Sequence, residues 1–180
     1  SQFNTMSSAP GSDFGAKFAI AGHYQNGPFG SLNNETEFFA YTTDLMLQGD
    51  GWNAFAAFAG RHIETAILGP DELNDFGVVV QGGFFIPETD WELFARYDGI
   101  FADEDWGADD DFNTLTVGTN WYISGQNARF TLDVQYFFDA TVDSGPVSFA
   151  QAVGLGQDVS LIPTVDDGAV ALRAQFQLMF

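Results

Sequence analysis

The chain reads as all-β: an antiparallel transmembrane β-barrel contributing eight strands from 180 residues. Three observations predict this. The first is period two over great length. In Gly168–Phe180, Val170, Leu172, Ala174, Phe176, Leu178 and Phe180 alternate with Arg173, Gln175, Gln177 and Met179. Such alternation gives a strand two different faces, and a tilted strand needs roughly 9–11 residues to cross a bilayer. The second is composition: 20 Phe and 20 Gly suit a large curved sheet with aromatic girdles. The third is the alternation of short and long connections between the strands.

The strands predicted in order are 14–25, 35–48, 51–64, 75–86, 91–102, 112–124, 128–140 and 168–180. The fifth sets Trp91, Leu93, Ala95, Tyr97 and Phe101 against Glu92, Phe94, Arg96 and Asp98. The sixth sets Leu115, Val117, Trp121 and Ile123 against Thr114, Thr116, Asn120 and Tyr122. The seventh sets Phe130, Leu132, Val134, Tyr136 and Phe138 against Arg129, Thr131, Asp133 and Gln135. In the third, Ala54–Ala59 fits either face. Gly49-Asp50, Pro87–Asp90 and Gly125–Asn127 carry tight-turn chemistry. Between them fall long loops at 26–34, 65–74, 103–111 and 141–167. In outer-membrane barrels the short turns are periplasmic. If Phe180 ends at the periplasm, all four long loops fall outside and the segment 1–13 starts in the periplasm. Residues 14–180 then form the barrel strands and their loops. Only a closed sheet satisfies every backbone group in lipid. Trp91, Trp121 and Tyr97 are expected near strand ends, at the interfaces. Phe176 and Phe180 read as the terminal signal for insertion.

The net charge of −20, from 25 Asp plus Glu against 5 Lys plus Arg, excludes a nucleic-acid binder. The 46% hydrophobic content excludes an acidic disordered chain. No apolar run approaches the roughly 20 residues of a membrane-spanning helix. Without cysteine there is no disulfide and no thiolate metal site. A soluble sandwich would have shorter strands and less uneven loops.

The stretch Gly77–Tyr97 (GVVVQGGFFIPETDWELFARY) resembles the phosphate-selective porin O and P family. There a Gly–aliphatic–Gln–Gly–aromatic strand, a Pro turn and a Glu–aliphatic–Arg–Tyr strand follow one another. Thr114–Ile123 (TLTVGTNWYI), the closing Leu172-Arg173-Ala174-Gln175-Phe176, and Thr43-Asp44-Leu45 before Gly51-Trp52 are similar to the same family. The resemblance implies a barrel of about 16 strands, often a trimer, in the bacterial (Gram-negative) outer membrane. This chain would then be its C-terminal half. The alternative is an eight-stranded barrel closed on itself, whose interior side chains fill. The expected function is a channel for passive diffusion of small hydrophilic solutes or ions. The alternative is an anchor or assembly module, and no enzyme is expected in either case.

The lumen-facing candidates are Lys17, Glu92, Arg96, Asp98, Asn120, Arg129, Asp133, Gln135, Arg173 and Gln175. Inward cations can set anion preference, or each can pair with an inward carboxylate such as Glu92, Asp98 or Asp133. The family's phosphate selectivity rests on dense basic clusters, which five cations cannot supply, so phosphate binding is not carried over. An open pore dominated by this chain would prefer cations. Asp103, Glu104, Asp105, Asp109, Asp110 and Asp111 crowd one loop and form a candidate Ca²⁺ site through oxygen ligands, though EF-hand spacing is missing. His23 and His62 lack a Gly-x-Ser-x-Gly partner motif. Expected partners are outer-membrane lipids, lipopolysaccharide, the barrel-insertion machinery, and a homotrimer or other membrane protein. The loop 141–167 is expected to constrict or cap the barrel.

Overall fold

β-Branched and aromatic residues alternate through most of the chain, and the structure answers with strands alone. The computed structural model describes residues 3, 6–29, 34–65, 72–103, 111–139 and 167–179. Its strands are β1 (Gly15–Phe29), β2 (Asn34–Gly49), β3 (Trp52–Thr65), β4 (Glu72–Phe85), β5 (Trp91–Phe101), β6 (Phe112–Gln126), β7 (Ala128–Phe137) and β8 (Val170–Leu178). They form one antiparallel meander in chain order. Each strand pairs with the next, from Gly15 opposite Gln48 to Tyr136 opposite Val170.

Several boundaries move from the sequence expectation. β1 runs four residues past Gln25, taking in Pro28, and β2 begins at Asn34, so most of the predicted loop 26–34 is strand. Pro28 stands one residue before the end of β1, which pairs on one side only in the described sheet, a position where proline is tolerated. Likewise β3 reaches Thr65 and β4 starts at Glu72, shortening the predicted loop 65–74. The β2–β3 turn places Gly51 at φ 72°, a left-handed conformation that glycine adopts without strain. The β6–β7 connection is tighter than expected. A register shift between Tyr122 and Ser124 precedes it, and Gly125 takes φ 52°. Of the predicted loop 141–167, residues 141–166 lie outside the described residues.

The described sheet is open: β1 pairs with β2, β8 pairs with β7, and the two do not pair with each other. This departs from a barrel closed on eight strands. An eight-strand interior barely accommodates its own side chains, whereas one face here carries Phe55, Phe85, Phe94 and Tyr122 together with a folded N-terminal segment. The edges also differ in length, 15 residues in β1 against 9 in β8.

Burial is inverted relative to a soluble domain. The buried hydrophobic residues are Met46, Leu73, Phe112, Tyr122 and Phe137, while Gln48, Asn53, Asp75, Glu92, Thr114, Thr116, Asn120 and Asp133 are buried polar ones. Large apolar side chains stand exposed on one face of every strand. Examples are Ile20 (76%), Leu45 (41%), Phe58 (38%), Val80 (50%), Leu93 (39%), Val117 (49%), Val134 (40%) and Leu172 (72%). The opposite face is concave, because residues of β3 through β8 on that side line a single hollow.

Candidate functional site: the polar concave face

The register places Lys17, Glu92, Arg96, Asp98, Asn120, Arg129, Asp133, Gln135, Arg173 and Gln175 on the concave face. Lys17 lies opposite Met46, Glu92 opposite Asn120, and Arg96 opposite Gln81 and Thr116. Arg129 lies opposite Tyr122 and Gln177, Asp133 opposite Arg173, and Thr131 opposite Gln175. Most of these residues wall a hollow of about 450 Å³ that Asn53, Gln81, Phe94, Thr116, Met6 and Ser7 complete.

Glu92 is the centre of this wall. It is 2% exposed and accepts four hydrogen bonds. Asn53 Nδ2 donates to Oε1 at 2.8 Å; Asn120 Nδ2 (2.8 Å), Tyr122 OH (2.6 Å) and Ser7 Oγ (3.0 Å) donate to Oε2. Ser7 Oγ also meets Tyr122 OH. Alternation in β5 and β6 puts Glu92, Asn120 and Tyr122 on one side, and their adjacent registers bring them together. Asn53 reaches from β3 across β4, and the residue between them is Gly83. A Cβ there would lie 2.9 Å from both Asn53 Nδ2 and Glu92 Oε1, so the bridge needs glycine.

The arginines are handled differently. Arg173 Nε donates to Asp133 Oδ1 at 2.7 Å across β7 and β8, and Arg96 pairs with Asp98 two residues along its own strand. Glu92, an expected arginine partner, has neutral donors instead. Arg129 Nη2 donates to Gln177 Oε1 at 2.7 Å, with its guanidinium carbon 6.0 Å from the centre of the Tyr122 ring. Thr131 Oγ1 donates to Asn120 Oδ1 at 2.6 Å, extending the network to β7. Lys17 is exposed on β1. The hollow is lined by Arg96, Arg129 and Arg173 against Glu92 and Asp133. The acidity of the chain is therefore not concentrated in the lining of this hollow.

A second hollow, of about 510 Å³, lies over β1–β4. Ala21, Phe38, Ala40, Ala59, Gly77 and Ile100 line it, with Arg61 and Asp75 at its edge. Arg61 Nε pairs with Asp75, whose other carboxylate oxygen accepts the Asp103 N–H at 3.0 Å.

Sequence reasoning missed Ser7, Asn53, Arg61, Asp75 and Gly83. Ser7 belongs to the segment 1–13, read as periplasmic, and the ambiguous pattern of β3 hid the inward side of Asn53 and Arg61. The QGG run contained Gly83 but no sign of what crosses it.

Other expected residues are placed as follows. Asp103 Oδ2 accepts the Asn74 N–H at 2.7 Å, tying β4 to the end of β5. Asp111 is exposed, and Glu104, Asp105, Asp109 and Asp110 lie outside the described residues. Among the described residues no group of three or more His, Cys, Asp or Glu side chains could hold a metal ion. On the convex face Trp91 and Trp121 stack at 5.7 Å in a register row that continues through Phe130 and Phe176. Tyr97 stands inside β5 rather than at its end, and its hydroxyl donates to Asn113 Oδ1. Phe180 lies outside the described residues.

Comparison with protein-family models, curated proteins and solved structures finds no match.

Proposed function

We propose that this chain forms part of the wall of a bacterial outer-membrane β-barrel, as the resemblance to the porin O and P family implies. The barrel is a channel through which small hydrophilic solutes or ions diffuse passively. The observation that carries this reading is the inverted burial. Carboxylates and amides are sequestered on the concave face, while Val, Leu and aromatic side chains of all eight strands point outward. Water would penalise that outer face by about 25 cal/mol for each Å² of apolar surface, and acyl chains would not.

The convex rows fit the same placement. Trp91, Trp121, Phe130 and Phe176 form one row. Leu93, Leu132 and Ala174 follow, then Ala95, Val117, Val134 and Leu172, then Tyr97, Leu115, Tyr136 and Val170. An aromatic row at the turn side, followed by mostly aliphatic rows, is what a bilayer interface selects. The open edges at β1 and β8 would be closed by further strands, since an unpaired edge has no place in lipid. The concave wall supplies amide, hydroxyl and guanidinium groups, which exchange hydrogen bonds with a passing hydrated solute. The reaction needs no bond making, and the wall acts by shape and charge.

Planar-bilayer recording of the native protein tests this. Discrete conductance steps are expected, and an inserted but silent protein overturns the channel reading. A second reading, a small closed barrel acting as an anchor, is favoured by one observation: the N-terminal segment occupies part of the concave space. Cysteines at Ala19 and Gln175, which share the concave face on β1 and β8, would cross-link within one chain only in that arrangement.

A further inference from the structure

Residues Met6–Ser12 do not trail away from the sheet. They cross its concave face at the tight-turn end, attached on two sides. Towards β2 and β3, Ser8 Oγ donates to Gly49 O at 2.5 Å and Gly51 N donates to Ala9 O at 3.3 Å. Gly11 N donates to Asp50 Oδ1 at 2.6 Å, and Gln48 Nε2 to Met6 O at 3.3 Å. Towards β5 and β6, Ser7 reaches the Glu92 carboxylate and the Tyr122 hydroxyl. Ser7 and Ser8 are 7% and 4% exposed. The segment thus bridges two parts of the sheet, passing beneath β4, and Met6 and Ser7 wall the polar hollow.

We propose that this strap is the constriction of the channel, and that Glu92 is the residue that sets it. The proposal rests on the channel reading. Glu92 suits the role because it accepts and cannot donate when ionised, so it gathers donors from two other strands, β3 and β6, and from the strap at one point. Asn53, Asn120 and Tyr122 hold the carboxylate in place, and Ser7 is the donor that belongs to the strap. The narrowest point of the pore is then at the turn side, with amide, hydroxyl and carboxylate groups facing the solute. An external loop folded inward is not required.

Two variants loosen the strap differently. Ser7→Ala removes only the strap's hydroxyl and leaves Glu92 with three donors. Glu92→Gln leaves a single carbonyl oxygen where the carboxylate offered two and turns an N–H₂ towards the Asn53 or Asn120 amide, so the cluster that anchors Ser7 loses acceptors. Two readouts are taken on the full protein. The first is single-channel conductance, expected to rise roughly twofold in both variants as the eyelet widens. The second uses the absence of native cysteine. Ser8→Cys, introduced alone, should react slowly with a small charged thiol reagent, and about tenfold faster when combined with Ser7→Ala, as local opening becomes more frequent. Faster labelling with unchanged conductance would show a strap that does not constrict, and overturns the proposal. Fast labelling of Ser8→Cys in the otherwise native protein overturns the strap itself. Release of the strap in a protein that is silent in every form overturns the channel reading, and the constriction with it.

Discussion

β5–β8 and β1–β4 have the same topology but encode their two faces differently. In β5–β8 the alternation is one of polarity. Leu93, Val117, Val134 and Leu172 point outward, while Glu92, Thr116, Asp133 and Arg173 point inward. In β1–β4 it is largely one of size. Phe18, Leu45, Phe58 and Val80 point outward, while Ala19, Ala21, Ala40, Ala57 and Ala59 point inward. The inner surface of the first half therefore holds a mostly apolar hollow, with polar residues such as Gln48, Asn53 and Gln81 towards the turn end, and that of the second half is a hydrogen-bonded polar wall. A strand needs two faces that differ to fix its register, and a contrast in bulk serves where a contrast in polarity is missing.

The largest expected effect separates the halves at their buried groups. Glu92→Ala leaves Asn53, Asn120 and Tyr122 without their acceptor, at about 1–3 kcal/mol per orphaned group, so a total loss of at least about 3 kcal/mol is expected. Asp44→Ala, on the inner face of β2, should cost under about 0.5 kcal/mol. Urea titrations in detergent micelles, followed by tryptophan fluorescence, measure both. Equal losses would erase the distinction between wall and hollow.

Next comes the outer face, which both halves share. Val134→Arg should cost about 2–4 kcal/mol in a lipid-embedded protein, and Ala56→Arg a similar amount. Gln135→Arg, one residue along β7, should cost little because it faces inward. The three are compared by refolding into vesicles. A small cost at Val134 would remove lipid from the convex face.

Glycine substitutions sharpen the contrast further. A Cβ at Gly118 would lie 2.6 Å from Phe94 Cζ and Asp133 Cβ and 2.7 Å from the Leu132 carbonyl. Backbone cannot yield as a side chain does, so Gly118→Ala should lose about 1–3 kcal/mol. At Gly60 the close atoms all belong to the Tyr41 ring, at 2.5–2.9 Å. That ring can swing aside, and Gly60→Ala should lose under about 1 kcal/mol. The paired midpoints of urea unfolding decide between them.

The smallest effect concerns the ion pair across β7 and β8. Arg173 is 43% exposed on its side chain, so Arg173→Ala should cost only about 0.2–1 kcal/mol. The cost should fall as salt rises, because exposed charges are screened. A loss indifferent to salt would mean that Arg173 acts through packing of its stem.

The strand count, the order of turns and loops, and the polar side of β5–β8 are all written locally. A period of two is a property of neighbouring residues, and Glu92, Arg96, Asp133 and Arg173 declare their side by what stands between them. The side of Ala54–Ala59 was not written locally, since Phe55 and Phe58 fall on opposite faces; pairing with β2 and β4 settled it. Nor could spacing show that Glu92 is held by Asn53 across Gly83, or that Ser7 returns to the same carboxylate. Those contacts join residues 39 and 85 positions apart. They depend on register, curvature and the absence of one side chain, which are relations between strands and become definite when the sheet is assembled.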